Sequence, residues 1–220
     1  MPKVSANYIN NKKNSILEAA LSVCKNKPLY EITMKDIIKE SRVSQGGIYR
    51  YFSDIDEILI ALINKFNINT DFKQNIDEII EISTTPKDVI ENLFAFFGRS
   101  IKENLTTIGK FQFELTVLLA NHPDRQEKIM SQITEVENSQ YLMDQLFNII
   151  NDGVSSGDFI PILPINDIFY FIITSVDGIV RDTVLLKCYG PVKNIQLEIE
   201  EISLMYTLSK AVLLLLSCNK

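Results

Sequence analysis

Apolar residues recur at every third or fourth position along almost the whole chain, and almost nowhere at every second one. That spacing gathers side chains on one face of an α-helix rather than one face of a strand, so an all-α fold is expected. Eight Gly and seven Pro in 220 residues suit long helices better than a turn-dense β-fold. Hydrophobic residues make up 46% of the chain, enough to bury a sizeable core. About nine helices are expected, over residues 11–25, 33–40, 45–51, 54–82, 86–104, 107–120, 123–152, 165–188 and 192–218, with one clear loop at 153–164.

The start and stop signals are sharpest near the N-terminus. Asn26-Lys27-Pro28 ends the first helix, because proline disfavours helical geometry in the residue before it. Thr33-Met34-Lys35-Asp36 has the form of a capping box. Ser41-Arg42-Val43-Ser44 then breaks the second helix and leads into a third. Two helices joined by a four-residue turn match the spacing of a DNA-binding helix-turn-helix. Charge agrees with this: residues 1–53 hold nine Lys/Arg against four Asp/Glu, a net of +5, so the rest of a chain of net charge −6 carries −11. A basic head on an acidic body can sit on phosphate, although a solvated basic face gives the same count.

In the third helix Ile48 and Phe52 face inward, four residues apart. Tyr49, Arg50 and Tyr51 are then left outward or on the flanks. Arg50 can fork onto a phosphate or a guanine edge, and tyrosine hydroxyls donate to phosphate oxygens. Gly46 and Gly47 each cost roughly 1 kcal/mol in a helix, so they call for a compensating reason, and close approach to a groove supplies one.

Other chemistries find little support. His122 is the only histidine, and the three cysteines (Cys24, Cys188 and Cys218) are far apart, so neither a zinc site nor a catalytic triad can be assembled. No phosphate-loop or dinucleotide fingerprint occurs. No enzyme activity, metal or cofactor is expected. The cysteine usage suits a reducing compartment. MPKVSANYINNKK lacks an apolar run that could act as a secretory signal, and no later segment reaches the roughly 20 apolar residues of a membrane span. A soluble cytoplasmic protein is expected, associated with the nucleoid when on DNA.

Residues 16–62, which begin ILEAALSVCKNKPLYEITMKDIIKESRVSQGGIYRYFSDIDEIL (16–59), resemble the TetR-type transcriptional repressors, and VSQGGIYRYF is very close to the family signature. GVSSGDF (153–159) and Asp177-Gly178 are weaker echoes. The resemblance implies a helix-turn-helix DNA-binding domain over residues 1–54 and a helical ligand-binding and dimerisation domain over 55–220. It implies that Ser44, Gln45, Gly46 and Gly47 open the recognition helix, that Tyr49, Arg50 and Tyr51 mix phosphate and base contacts, and that Thr33 touches phosphate. Two positions depart from the family: Arg42 stands where a turn glycine is usual, and Ile55, among Asp54, Asp56 and Glu57, stands where a lysine is common. Affinity for DNA is therefore expected to rest more heavily on Lys12, Lys13 and Arg50.

For the body, the resemblance implies a small-molecule effector and a homodimer, so that two recognition helices read a palindromic operator in double-stranded DNA. Phe94, Phe97, Phe113, Tyr141, Phe147 and Phe169 can line an apolar cavity, with ordinary core as the alternative for each. Asp177 and Arg181, one turn apart, can pair with each other or with a polar ligand group. The last helix carries a stripe at Ile202, Met205, Leu208, Val212 and Leu215 that can serve as an intersubunit seam. Two rival readings stay open: a helical interaction protein with a degenerate helix-turn-helix that no longer binds DNA, and a cofactor-free helical enzyme built on Asp177 and Arg181.

Overall fold

A computed structural model of the chain describes residues 6–67, 70–133, 138–190 and 200–217. No strand occurs among them. The helices are α1 (Ala6–Asn26), α2 (Met34–Ser41), α3 (Gln45–Tyr49), α4 (Ile55–Asn67), α5 (Thr70–Ile82), α6 (Pro86–Asn104), α7 (Lys110–Ala120), α8 (Pro123–Met130), α9 (Asn138–Ser156), α10 (Ile165–Cys188) and α11 (Glu201–Leu215), with a 3₁₀ turn at Leu29–Glu31 and a π-helical turn at Leu105–Gly109. These correspond to the nine expected helices, two of which are each described as two stretches. Residues 68–69, between α4 and α5, lie outside the described residues, as do 191–199, where the last helix was expected to begin, and Cys218.

The expected helix over 123–152 is broken. Gln132 N donates to Ile129 O and Ile133 N to Met130 O, i→i+3 bonds that tighten and close α8. The loop expected from Gly153 begins later, because α9 runs through Gly153 to Ser156. Phe159 folds back so closely that a Cβ on Gly153 would lie 2.4 Å from its ring. Its N–H donates to Gly153 O at 2.9 Å. The GVSSGDF motif is thus a packing device that turns the chain at the end of α9.

The chain forms two compact units, the first from α1–α4 with α7 and α8, the second from α5, α6, α9, α10 and α11. The first unit therefore extends past residue 54, where the sequence places the domain boundary. The cause is visible in its core: Ile16, Ile37, Ile48 and Phe52 pack in one cluster with Ile58 and Leu62 of α4, Phe111 of α7 and Ile129 of α8. The capping box forms as expected, with Thr33 N donating to Asp36 Oδ2 at 2.8 Å and Asp36 N to Thr33 Oγ1 at 3.4 Å. Lys27 Nζ adds an ion pair at 2.8 Å, and this bond, followed by those from Thr33, holds the Asp36 carboxyl down at about 2. Arg42 ends α2 with φ 54°, the left-handed conformation that favours glycine, at a cost on the order of 1 kcal/mol.

In the second unit α6 and α11 lie close together at Gly98, where a Cβ would stand 3.3 Å from Ile202 Cα. Met205, Leu208 and Val212 are buried here, 1%, 6% and 0% exposed. They face their own chain's interior and cannot form the expected intersubunit seam. Ile202 and Leu215 are half-buried. The sequence pointed to this inward stripe; the large apolar residues that α11 leaves outward, Leu204 and Leu214, were not singled out there. No helix among the described residues is long and apolar enough to cross a membrane.

Candidate nucleic-acid interface and ligand cavity

Ser44 caps α3, its Oγ accepting from Gly47 N at 3.2 Å, which leaves the hydroxyl proton free to donate outward. Ile48 is fully buried and Phe52 is 4% exposed, and between them they fix which face of the short helix looks out. On that face Gln45, Gly46, Tyr49 and Arg50 are exposed. Tyr51 takes the flank: it is half-buried and packs against the core cluster.

The two glycines separate. A Cβ at Gly47 would sit 2.8 Å from Val43 Cγ1 and 3.1 Å from Ser44 Oγ, so this glycine has a reason inside the protein. A Cβ at Gly46 would meet nothing within 4 Å. Its helix cost is not offset by any contact of the chain with itself.

Lys12 and Lys13 lie on α1, held over rings. Lys13 Nζ stands 6.0 Å from the Phe52 centroid, at the far end of the recognition helix, and Lys12 Nζ stands 5.9 Å from Tyr8. Thr33 is exposed, but both its N–H and its O–H donate to Asp36. A phosphate there must compete with that carboxylate. Tyr30, not singled out in the sequence, stands 73% exposed on the 3₁₀ turn before α2, between Pro28 and the Thr33 cap.

The acidic start of α4 is less repulsive than its sequence suggests. Arg125 of α8 bonds Asp56 at 2.6 Å, and Lys128 bonds Asp54 at 3.3 Å and Asp56 at 3.1 Å. Burial raises the Asp54 pKa, but the N–H of Glu57 and the Lys128 ammonium outweigh it, so the carboxyl titrates below its ordinary value. Two carboxylates near Ile55 are thus matched by two cations.

The second unit holds a narrow apolar cleft, open to solvent at its mouth and with room for about one water-sized molecule. Leu93, Phe94 and Phe97 of α6, Leu142, Met143 and Leu146 of α9, Ile172 and Val176 of α10, and Met205 of α11 line it. Of the residues expected there, only Phe94 and Phe97 take part. Phe113 belongs to the other unit. Phe147 and Phe169 pack edge to face at 5.0 Å, and the Tyr141 hydroxyl donates to the Asp77 carboxylate. Asp177 and Arg181 are exposed and do not pair; Arg181 turns instead to Asp182 at 2.9 Å. The lining is mostly aliphatic, and its signal was the stripe Leu142, Leu146 on α9 with Ile172, Val176 on α10. Among the described residues no group of His, Cys, Asp or Glu is placed to hold a metal.

Known proteins point the same way as this geometry. Residues 16–62 match the family described as "Bacterial regulatory proteins, tetR family", and residues 98–189 match "Tetracyclin repressor-like, C-terminal domain". An uncharacterized HTH-type transcriptional regulator of Bacillus subtilis, YfiR, is 24% identical over 184 residues, 82% of this chain and 84% of that protein. The HTH-type transcriptional repressor KstR2 of Mycobacterium tuberculosis is 24% identical over 188 residues, 84% and 85% of the two chains. The fatty acid degradation regulator FadR of Bacillus halodurans superposes with a TM-score of 0.67 at 18% identity, covering 99% of this chain and 100% of that one. At that identity the superposition speaks for the fold.

Proposed function

The chain belongs to the TetR family of bacterial helix-turn-helix transcription regulators, and we propose that it is a dimeric repressor released from a palindromic operator by a small apolar effector. The observation that carries this reading is the outward face of α3: Gln45, Tyr49 and Arg50 exposed beside a glycine that nothing in the chain requires. We assign base and phosphate contacts to Ser44, Gln45, Gly46, Tyr49 and Arg50, and backbone contacts to Lys12, Lys13 and Tyr30. Thr33 joins them only where phosphate displaces its bond to Asp36. Residues 1–54 are the DNA-binding part, with α4 as the element that ties it to α7 and α8.

The dimer seam is assigned to the outward faces of α10 and α11, where Phe171, Leu185, Leu204 and Leu214 are 41%, 38%, 36% and 75% exposed. Four large apolar side chains left in water on two helices need a cover. The effector is assigned to the cavity of the second unit. As it stands it has room for about one water, far below the roughly 300–1,000 Å³ of most ligand sites, so an occupant must spread the helices, a motion able to bias DNA binding. Its apolar lining agrees with the relative named as a fatty acid degradation regulator.

Footprinting on the DNA flanking the protein's own gene tests this reading. A protected inverted repeat, lost when an apolar effector is added, is the expected result. Protection of a single half-site, or none, counts against it. Gly46→Ala supplies a sharper check. The added methyl meets no atom of the free protein, so the melting temperature should hold or rise, by roughly 0.5–1 kcal/mol of stability. Operator affinity should nevertheless fall about tenfold, because the methyl stands where the groove must come. Unchanged affinity would remove Gly46 from the interface.

A further inference from the structure

Gly178 stands in the middle of α10, where a glycine weakens a helix through the extra freedom it gives the unfolded backbone. Nothing in the chain asks for it there. A Cβ would meet no atom within 4 Å, and the backbone is not left-handed at this position. Helical spacing puts it on the face of α10 turned away from the buried Ile172 and Val176. The residues around it on that face are arranged symmetrically. Phe171 and Leu185, both apolar and exposed, stand seven residues before and after it, about two turns each way. Between them the face is polar. Arg181 bonds its neighbour Asp182 at 2.9 Å, with both side chains more than half exposed, and Asp177 is exposed and makes no ion pair among the described residues.

A second copy of α10, laid antiparallel with the two-fold axis at Gly178, answers each of these features. A residue a given number of places before the glycine then stands level with the one as many places after it in the other copy. Phe171 therefore meets Leu185 of the other copy at both ends of the contact, and each covers the other. The axis is perpendicular to the plane of the two helices, so each flank faces its own like. On one flank Arg181 comes within about 3 Å, along the helix axis, of the level of Asp177 of the other copy, near enough for an ion pair. On the other flank Ser175 comes level, within about one residue rise, with Asp182, whose carboxylate can accept from the serine hydroxyl. At the centre two glycines face each other, and without a Cβ on either helix the pair can close to the short end of the usual 8–10 Å between axes.

We propose that two copies of the chain pair through α10, antiparallel and crossing at Gly178, with Phe171 against Leu185 and Arg181 against Asp177 of the other copy. This rests on the protein being a dimer and fixes the register of its seam. The face is complementary to itself and to no single-sign surface, since both charges and both apolar ends are needed at once.

Cysteine crosslinking of the full chain, with Cys188 and Cys218 replaced by serine and the buried Cys24 left in place, tests the register. Under mild oxidation Gly178→Cys should give a disulfide-linked dimer, because a residue on the axis meets its own copy. Phe171→Cys and Leu185→Cys should each give at least about tenfold less, since each then lies about 21 Å along the helix from its own copy. The two together in one chain should link as well as Gly178→Cys. In sedimentation equilibrium Arg181→Asp should weaken the dimer at least about tenfold, and Asp177→Arg/Arg181→Asp should restore it. Linkage through Leu204→Cys or Leu214→Cys with none through Gly178→Cys, equal linkage at all three α10 positions, or a charge exchange that restores nothing overturns this register while the dimer stands. A wild-type chain that sediments as a monomer at every concentration rejects the dimer and this inference with it. If Gly178→Cys does not fold, the Phe171→Cys/Leu185→Cys pair decides.

Discussion

Alanine at Tyr49 or at Arg50 is expected to weaken operator binding by roughly ten- to a hundredfold while the melting temperature stays within error of the wild type. The two residues stand exposed at the end of α3, Tyr49 at 45%, and neither side chain makes a hydrogen bond or ion pair among the described residues. Truncation therefore removes contacts to the partner and none to the core, the condition under which an affinity loss can be assigned to recognition. Salt separates the two. If Arg50 lies on a phosphate, Arg50→Ala lowers the slope of log K against log salt by about one, whereas Tyr49→Ala leaves the slope alone. If Arg50 reads a guanine edge, its loss instead relaxes sequence preference at one base pair. Wild-type affinity in both variants would mean that α3 is not the reading helix, and the rival of a degenerate helix-turn-helix would return.

The N-terminal third was legible because its signals are local. The Thr33 cap, the Pro28 stop and the turn at Arg42 each follow from a few adjacent residues, and each forms. Which of Tyr49, Arg50 and Tyr51 stand outward and which on a flank was not legible, because the half-burial of Tyr51 depends on the core cluster and not on its neighbours in sequence. The break after Met130 carries no Gly or Pro. It reflects instead that Ile129 is buried in the first unit and Leu142 in the second, a tertiary demand with no local mark. The outward face of α11 was not singled out for the same reason, since both of its faces are apolar. At the cavity, attention to aromatics missed an aliphatic lining whose helical spacing was present throughout. The acidic start of α4 read as repulsive because its partners, Arg125 and Lys128, lie some 70 residues away.

Lys110 and Glu114 raise the largest stability question in the chain. They stand one turn apart on α7, side chains 5% and 7% exposed, with Nζ 3.2 Å from Oε1. The pair serves the backbone as well as itself. Lys110 Nζ donates to Cys24 O at 2.5 Å and Lys27 O at 3.4 Å, and Glu114 Oε2 accepts from Leu29 N at 2.8 Å. Carbonyls at the end of a helix have no partner within it, and Lys110 supplies one at the negative end of the α1 dipole. The same enclosure, with Glu114 adding to it, raises the Cys24 thiol to about 11 and leaves it protonated and unreactive.

Lys110→Met is expected to cost about 3–5 kcal/mol in urea unfolding, because it strands both a buried carboxylate and a buried carbonyl. For many buried ion pairs, replacing both partners by apolar residues recovers most of the loss. Here Lys110→Met/Glu114→Leu should recover only part of it. Removing both charges ends the carboxylate penalty, but Cys24 O and Leu29 N remain buried without partners at about 1–3 kcal/mol each. The double variant should therefore fall between wild type and Lys110→Met. Full recovery would show that water or a shifted backbone satisfies those two groups. No recovery would show that the ion pair itself contributes nothing, and that Lys110 matters only as the cap of α1, the helix that carries Lys12 and Lys13.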